Sequence, residues 1–191
     1  MSTWVEYTPH YSMDVNMVVN GSWHYSGDGV NKFHADVGGS RVTSNASDLG
    51  YAAAAGTSYT ITPLPGTGYR YLGTSTASGY QAASGTYPSA NFSVGLIFSN
   101  KYKITFNANG GTNTSGGNFA VSGHDVSYGN GTTTSYVTAT YGSTNFYTMG
   151  GNNPTRAGYN FTGWYTAASG GTQVYDSSGT CVKGTSYWNT S

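Results

Sequence analysis

The chain has 191 residues, and its seven lysines and arginines balance seven aspartates and glutamates, so that only 7% of its residues are charged. An ordinary soluble domain carries about 25% charged residues, and zero net charge with scattered cations argues against the cationic face that phosphate backbones and anionic lipids require. We therefore expect no nucleic-acid partner, and no membrane insertion either, because no apolar run approaches the roughly 18 residues that cross a bilayer.

Aromatic side chains are expected to form most of the core. Leucine and isoleucine are scarce, whereas the chain contains 18 tyrosines, 7 phenylalanines and 4 tryptophans. Each of these rings can bury roughly 150–250 Å² of surface. The single cysteine, Cys181, excludes an intramolecular disulfide and a cysteine-rich metal site.

Taken in chain order, the sequence predicts a leader, residues 1–12, followed by short strands separated by turns. The leader has neither a basic region nor an apolar stretch, so no secretory signal is predicted. Residues 49–55 are the one candidate helix, and this segment is short for a helix. The strands combine β-favouring residues with period-two alternation between turn dipeptides such as Asn109-Gly110. They are predicted at residues 13–19, 32–37, 58–62, 69–72, 91–98, 101–106, 136–141, 159–165 and 172–175.

Short strands separated by frequent turns predict an all-β or β-rich fold in two small modules. The boundary is expected near residues 99–101, where one run of strand residues ends and another begins. We therefore place one module at residues 13–99 and a second at residues 101–191. A stretch rich in glycine, asparagine, serine and threonine, residues 110–131, is predicted to be a long surface loop.

The second module carries a series of specific motifs. Residues 102–112 read YKITFNANGGT and residues 153–166 read NPTRAGYNFTGWYT, with a Tyr141-Gly142 pair between them and GGTQV at residues 170–174. This order and spacing resemble the Listeria–Bacteroides repeat, also called the internalin B-repeat. The resemblance implies a small β-grasp-like fold, found as tandem modules in bacterial surface proteins and in some phage-encoded proteins, and it brings no catalytic residues.

Two features depart from the family pattern. The insertion between Gly111 and Tyr141 is longer than the family usually shows. In addition, such repeats continue into a further strand, whereas this chain stops at Tyr187-Trp188-Asn189-Thr190-Ser191. A missing last strand is expected to leave an open edge that a neighbouring chain can fill.

The first module resembles, more loosely, β modules that occur beside such repeats in gut bacteria and their phages. The resemblance rests on Val19-Asn20-Gly21 and on residues 33–42, 56–61 and 94–98. It implies a β-sandwich-like module and no specific chemistry. The expected architecture is thus a β-sandwich-like N-terminal module followed by a β-grasp-like repeat module.

The titratable residues show no catalytic or metal-binding spacing. Nothing in the positions of Glu6 and the six aspartates brings two carboxylates together, and Asp28 is expected to cap its own glycine-rich turn. The four histidines lack the spacing of metal ligands, and no segment has the order of a phosphate-binding loop. We therefore expect no enzyme activity, no catalytic residue, no metal and no cofactor.

Aromatic rings are the best candidates for ligand binding, because tyrosine and tryptophan stack on the apolar faces of sugars. For any single ring, replacement of a leucine in the core is the commoner explanation. In the second module the selected residues are Tyr165, Tyr175, Tyr187 and Trp188, and a similar pool in the first module comprises Tyr69, Tyr71, Tyr80 and Tyr87.

The leading functional hypothesis is a non-enzymatic structural or adhesive protein displayed outside the cell. Because no secretory signal is predicted, a bacteriophage tail- or head-fibre component released by lysis fits better than a wall-anchored adhesin. Such a component is expected to self-associate as a trimer or higher oligomer and to contact a host cell-surface glycan or protein. The alternatives are a carbohydrate-binding module for cell-surface glycan and a fragment of a bacterial surface adhesin. The expected location is extracellular, on a virion or a bacterial cell surface.

Overall fold

The computed structural model describes residues 6–112, 120–121, 133–142, 149–150 and 153–183. Over these residues the protein consists of strands, turns and loops without a helix, which confirms the predicted all-β class. None of the described segments therefore offers a helix long and apolar enough to span a membrane. The chain divides into two compact units, Met1–Asn100 and Lys101–Ser191.

The strands of the first unit form two sheets. They are β1 (His10–Val19), β2 (Ser22–His24), β3 (Lys32–Val37), β4 (Ser40–Ala46), β5 (Leu49–Ala54), β6 (Ser58–Leu64), β7 (Arg70–Thr74), β8 (Ser84–Thr86) and β9 (Phe92–Ser99). The five-stranded sheet has the order β2-β1-β9-β7, with β5 also paired to β1. The four-stranded sheet has the order β4-β3-β6-β8.

One hydrophobic core is shared by the two sheets of this unit. The parallel pairing of β1 with β9 sets Met13 opposite Phe92, and alternate residues of both strands enter the core. Phe33 on β3 and Ile61 on β6 enter the same core from the four-stranded sheet. Two sheets that bury their inner faces against each other form a β-sandwich.

The composition of this core differs from the predicted aromatic one. Buried methionine and valine side chains, such as Met13 and Val94, occupy it together with the rings. Tyr59, Tyr87 and Phe92 contact one another with ring centroids 5.2–5.9 Å apart. The expectation followed from the scarcity of leucine and isoleucine alone, and it overlooked the alternating valines and methionines of β1 and β9.

The candidate helix at residues 49–55 is a strand. β5 runs antiparallel to the first half of β1, with Tyr11 opposite Ala53 and Val15 opposite Leu49. Because β1 begins at His10, the end of the segment predicted as a leader is built into the sheet. An alanine-rich segment is compatible with a helix or a strand, so the pairing with β1 decides its structure.

Tyr87 makes the first unit sensitive to high pH. Its ring is buried, its hydroxyl donates a 3.0 Å hydrogen bond to the carbonyl oxygen of Tyr51, and burial raises its pKa to about 12, with smaller effects from Tyr51 and Tyr59. The unfolded chain releases this proton near pH 10, as an ordinary tyrosine does. Between about pH 10 and that raised pKa the folded state therefore holds more protons, and its free energy of unfolding falls as the pH rises.

We expect urea unfolding followed by circular dichroism to show this loss above about pH 10. Tyr87→Phe removes one ionisable hydroxyl, so it should reduce the alkaline loss while costing about 1 kcal/mol at neutral pH through the lost hydrogen bond. The remaining dependence comes from Tyr59, Tyr71 and Tyr175, whose pKa values burial also raises. Tyr7→Phe is the matched control, because Tyr7 is exposed. An alkaline transition that is the same in the Tyr87→Phe variant and the parent protein would contradict this assignment.

Within the described residues, the second unit contains three antiparallel strand pairs. These are β10 (Lys101–Asn107) with β12 (Thr134–Thr140), β11 (Ala120–Val121) with β13 (Met149–Gly150), and β14 (Gly163–Tyr165) with β15 (Gln173–Asp176). An isolated bridge joins Thr112 to Thr155, and another joins Tyr175 to Cys181. These pairings bring the motif segments of the second module together.

Candidate functional site

A compact group of aromatic rings lies among the described residues of the second unit. Phe106 on β10 has its ring centroid 5.2 Å from that of Trp164 on β14 and 6.2 Å from that of Tyr175 on β15. Phe161 adds an edge-to-face contact with Trp164 at 5.4 Å. Since Phe106, Trp164 and Tyr175 are buried, aromatic rings do form the core of this unit, as the composition predicts.

The NANGG and PTRAGY motifs are joined although they are far apart in the sequence. Thr112 and Thr155 exchange two backbone hydrogen bonds of 2.9 and 2.8 Å. Arg156 donates from Nη1 to the carbonyl oxygen of Asn109 at 3.0 Å, and its guanidinium lies 4.1 Å from the centroid of the Tyr159 ring. The motif residues thus bind the two loops to each other, which is a structural role.

Gly163 allows β14 to approach β15 very closely. Its φ is +131°, and a Cβ built on it would overlap the carbonyl oxygen of Tyr175. The strand register shifts between Trp164 and Tyr165, which is the irregularity of a β-bulge. Glycine is required here because its φ is positive and because a Cβ would overlap Tyr175. The close approach of β14 to β15 sets the position of Trp164 in the core.

A groove of about 850 Å³ is formed by these segments of the second unit. Its walls come from β10, from the loop that contains Pro154 and Tyr159, and from the segment around β14. The volume lies in the range of about 300–1,000 Å³ that is typical of small-ligand sites. Among its described lining residues Arg156 alone carries a formal charge, and its guanidinium contacts the carbonyl oxygen of Asn109 and the ring of Tyr159.

The structure places two of the four selected rings at this groove and gives them different environments. Tyr165 is 44% exposed and presents its ring to solvent. Tyr175 is 1% exposed and packs on Phe106, so it acts as a core residue whose ring face is not available to a ligand. Burial, with a smaller effect of Cys181, holds the pKa of Tyr175 far above its usual range. Tyr187 and Trp188 lie outside the described residues.

Three of the described carboxylates, Asp28, Asp36 and Asp176, take part in turns or an ion pair. Asp28 Oδ1 accepts two backbone hydrogen bonds within its own turn, which confirms the predicted cap. Asp36 forms a 2.5 Å ion pair with Arg41, and the hydrogen bond within this pair lowers the pKa of Asp36. The Ser178 hydroxyl and nearby backbone N–H groups lower the pKa of Asp176. Over the described part of the chain, no three acidic, histidine or cysteine side chains lie close enough to hold one metal ion.

An aromatic cluster on the first unit consists of Tyr80, which was among the rings selected from the sequence, and of the exposed Trp23 and Tyr25, which sequence reasoning missed. The ring centroids of Trp23 and Tyr25 are 6.1 Å apart with planes inclined at 10°, and Tyr80 lies 4.9 Å from Trp23. The spacing of Trp23 and Tyr25 by two residues, at the end of edge strand β2, was a usable local signal. Their approach to Tyr80 depends on the tertiary fold, so the full cluster had no signal in the sequence.

The bulge at Gly163, the core position of Trp164 and the PTRAGY loop all fall within a segment that matches a known family. Residues 124–186 match the Listeria-Bacteroides repeat domain. The predicted resemblance is therefore confirmed over these residues, while β10 with its NANGG turn precedes the matched segment. Listeria-Bacteroides repeat domains are typical of extracellular or surface proteins. Comparison with curated proteins and with solved structures gives no match.

Proposed function

We propose that this protein is a non-enzymatic structural and adhesive component displayed outside the cell, and that it belongs to a bacteriophage tail or head fibre that self-associates. The observation that carries the proposal is the match of residues 124–186 to the Listeria-Bacteroides repeat domain, because such domains are typical of surface proteins. The roles of the motif residues also support it, since Arg156 and Gly163 build contacts between backbone segments.

An edge of the five-stranded sheet is the candidate surface for self-association. β7 ends the order of that sheet, and Leu72 in the middle of β7 is 54% exposed. β4 ends the order of the other sheet but carries Arg41, which pairs with Asp36. Each of these strands carries one arginine, Arg70 at the start of β7 and Arg41 on β4, but only β7 presents a large exposed apolar side chain, Leu72, at its middle, and we take it as the candidate contact surface.

The mass of the full chain in solution, measured by light scattering over a wide range of concentration, tests self-association. We expect a trimer or higher oligomer, and we expect Leu72→Lys to lower its mass by placing a charge on the edge strand. Val182→Lys is the matched control, because Val182 is a similarly exposed apolar residue in the second unit. A monomer at all concentrations would contradict the fibre proposal, and an oligomer insensitive to Leu72→Lys would exclude β7 as its contact.

Labelling with antibodies against the purified protein, followed by electron microscopy, tests where the protein is displayed. Gold particles on purified virions are expected. Label confined to the surface of bacterial cells would instead favour a fragment of a bacterial surface adhesin.

Carbohydrate binding is the second candidate function, and the groove of the second unit favours it. The exposed ring of Tyr165 borders the groove, and uncharged polar side chains such as Asn107 and Thr162 line it. An aromatic face next to uncharged hydrogen-bonding groups suits a neutral sugar. Loss of glycan binding on Tyr165→Ala would support this function, and glycan binding that is unchanged by Tyr165→Ala would exclude the groove as the site.

A further inference from the structure

The cluster of Trp23, Tyr25 and Tyr80 forms a continuous aromatic surface on the first unit. Trp23 lies on β2 and Tyr25 immediately follows this strand, whereas Tyr80 comes from the loop between β7 and β8. Trp23 is 37% exposed and Tyr25 is 66% exposed. Isolated exposed rings are common on proteins, but here Trp23 contacts both Tyr25 and Tyr80, and patches of this kind mark binding sites.

The fold holds two of these rings directly against the backbone of the sheet. Gly95 on β9 lies between Val94 and Leu96, whose side chains enter the core, so a side chain at Gly95 would point to the outer face. A Cβ at Gly95 would lie 3.2 Å from Trp23 Cη2 and 3.1 Å from Tyr80 Cδ1. The missing side chain therefore leaves the space in which these two rings lie.

Backbone hydrogen bonds position the ring-bearing segments. β2 pairs with β1 so that Trp23 lies opposite Val18, which is buried on the outer face of the sheet. Tyr80 forms a parallel bridge with Ser93, and the next residue, Gln81, donates its backbone N–H to the carbonyl oxygen of Ser93 at 2.8 Å. The cluster is therefore built before a ligand arrives, which lowers the entropic cost of binding.

Trp23 and Tyr80 have a structural role, because they cover the outer face of the sheet, but this role does not explain the position of Tyr25. Trp23 and Tyr80 lie over Gly95 and shield the outer face of the two central strands. Tyr25 lies two-thirds exposed against Trp23, with its plane nearly parallel to that of the indole. Because the two rings are stacked, Trp23 lies behind one face of Tyr25, and the exposure of Tyr25 leaves its other face open to a ligand.

The chemistry of this surface fits an uncharged ligand with flat apolar faces. The three rings, and the residues Ser75, Ser93 and Gly95 that lie against them, carry no formal charge. An anionic polymer would need cations here, whereas the hydroxyl groups can hydrogen-bond to sugar hydroxyls. In β-linked pyranoses with equatorial substituents, the axial C–H groups of one face form an apolar patch that packs on aromatic rings.

We propose that Trp23, Tyr25 and Tyr80 form a binding site for neutral β-linked glycans of the glucose or N-acetylglucosamine type. This inference rests on the proposed display outside the cell, where such glycans are encountered. Tyr25 stacks on a pyranose ring, the exposed part of Trp23 extends this contact, and Tyr80 supports the indole of Trp23. The site lies in the first unit and is separate from the groove that contains Tyr165.

Titration calorimetry of the full chain with cellohexaose and with N-acetylchitohexaose tests the site. We expect at least one of these hexasaccharides to bind with a submillimolar Kd, and maltohexaose, which is α-linked, to bind more weakly. Tyr25→Ala should weaken binding about fivefold to tenfold, because it removes one stacking ring, and Trp23→Ala should weaken it further. Tyr25→Phe keeps the ring face and should bind like the parent protein.

Control variants show whether a loss of glycan binding comes from this cluster, from the groove or from a defect in folding. Tyr7→Ala should leave the affinity unchanged, because Tyr7 is an exposed tyrosine outside both the cluster and the groove, and unchanged thermal unfolding of the Tyr25→Ala variant would show an intact fold. The proposal is overturned if neither β-linked hexasaccharide binds at millimolar concentration, if Tyr25→Ala and Trp23→Ala leave the affinity unchanged, or if Tyr165→Ala alone abolishes binding. It is also overturned if the ring variants change only the oligomeric mass, since the cluster would then be a contact between copies of the chain.

The outcomes of these experiments distinguish a failure of the glycan site from a failure of the proposed fibre function. Oligomers that bind no glycan overturn the site and leave the fibre function standing. Mass spectrometry of the recovered hexasaccharide adds a second distinction: cleaved sugar that depends on Tyr25 would support the site but contradict the non-enzymatic function. Intact sugar with Tyr25-dependent binding supports both.

Discussion

Replacing Trp164 with alanine is expected to unfold the second unit while the first unit remains folded. Trp164 is buried and contacts the rings of Phe106 and Phe161, which together form much of the small core of that unit. Truncation of a buried tryptophan costs about 3–5 kcal/mol. Small domains lie near the lower end of the usual range of about 5–15 kcal/mol, so this loss removes most of the stability of the unit. The first unit has its own core between two sheets and does not depend on this ring.

Limited proteolysis of the full chain followed by mass spectrometry measures this effect. The Trp164→Ala variant should yield a resistant fragment that corresponds to the first unit, whereas the parent protein should resist cleavage in both units. Tyr165→Ala is the matched control, because Tyr165 is the exposed neighbour of Trp164 on β14. Equal resistance of the second unit in the Trp164→Ala variant and the parent would show that the core does not depend on the indole.

Gly163→Ala is expected to destabilise the second unit about as strongly as the loss of Trp164. The new methyl group would overlap the carbonyl oxygen of Tyr175, so β14 must move away from β15. The positive φ of Gly163 adds backbone strain of about 1–3 kcal/mol, and the overpacking adds about 1–3 kcal/mol. The combined cost of about 4 kcal/mol exceeds that of an ordinary surface substitution.

Gly158→Ala separates the cost of backbone strain from the cost of overpacking. Gly158 also has a positive φ, of 78°, but a Cβ there would meet no atom within 4 Å. It should therefore cost only the backbone strain, about 1–2 kcal/mol. Urea unfolding of both variants, monitored by near-ultraviolet circular dichroism of the buried rings, measures the difference. If the two substitutions cost the same, the close contact between Gly163 and Tyr175 does not exist in solution.

The strands that the sequence predicted well are those whose alternation is local. β3 was predicted with its bounds correct, and β9 and β10 were predicted to within a residue, because apolar and polar residues alternate along them and turns follow. The turn at Asn109-Gly110 was predicted from the dipeptide itself, and both residues have positive φ. These features depend on neighbours in the sequence, so composition and periodicity are sufficient to identify them.

The candidate site was less predictable because exposure depends on distant partners. Tyr165 and Tyr175 were selected together as aromatic residues of one module, yet one ring faces solvent and the other packs on Phe106. A strand of period two has two faces, and the strand alone does not specify which face is covered. The pairing of β14 with β15, and their packing on β10, determine which of the two rings is buried.

The sequence by itself determined the all-β class, the low charge that argues against a nucleic-acid partner, and the repeat motifs between Tyr141 and Val174. Tertiary structure alone decided that residues 49–54 form a strand on β1, that Arg156 binds the NANGG turn, and that Trp23 meets Tyr80 over Gly95. The physical reason is that turn and strand preferences arise from each residue and its neighbours, whereas burial and ring contacts arise only when distant segments pair and exclude water from a shared face.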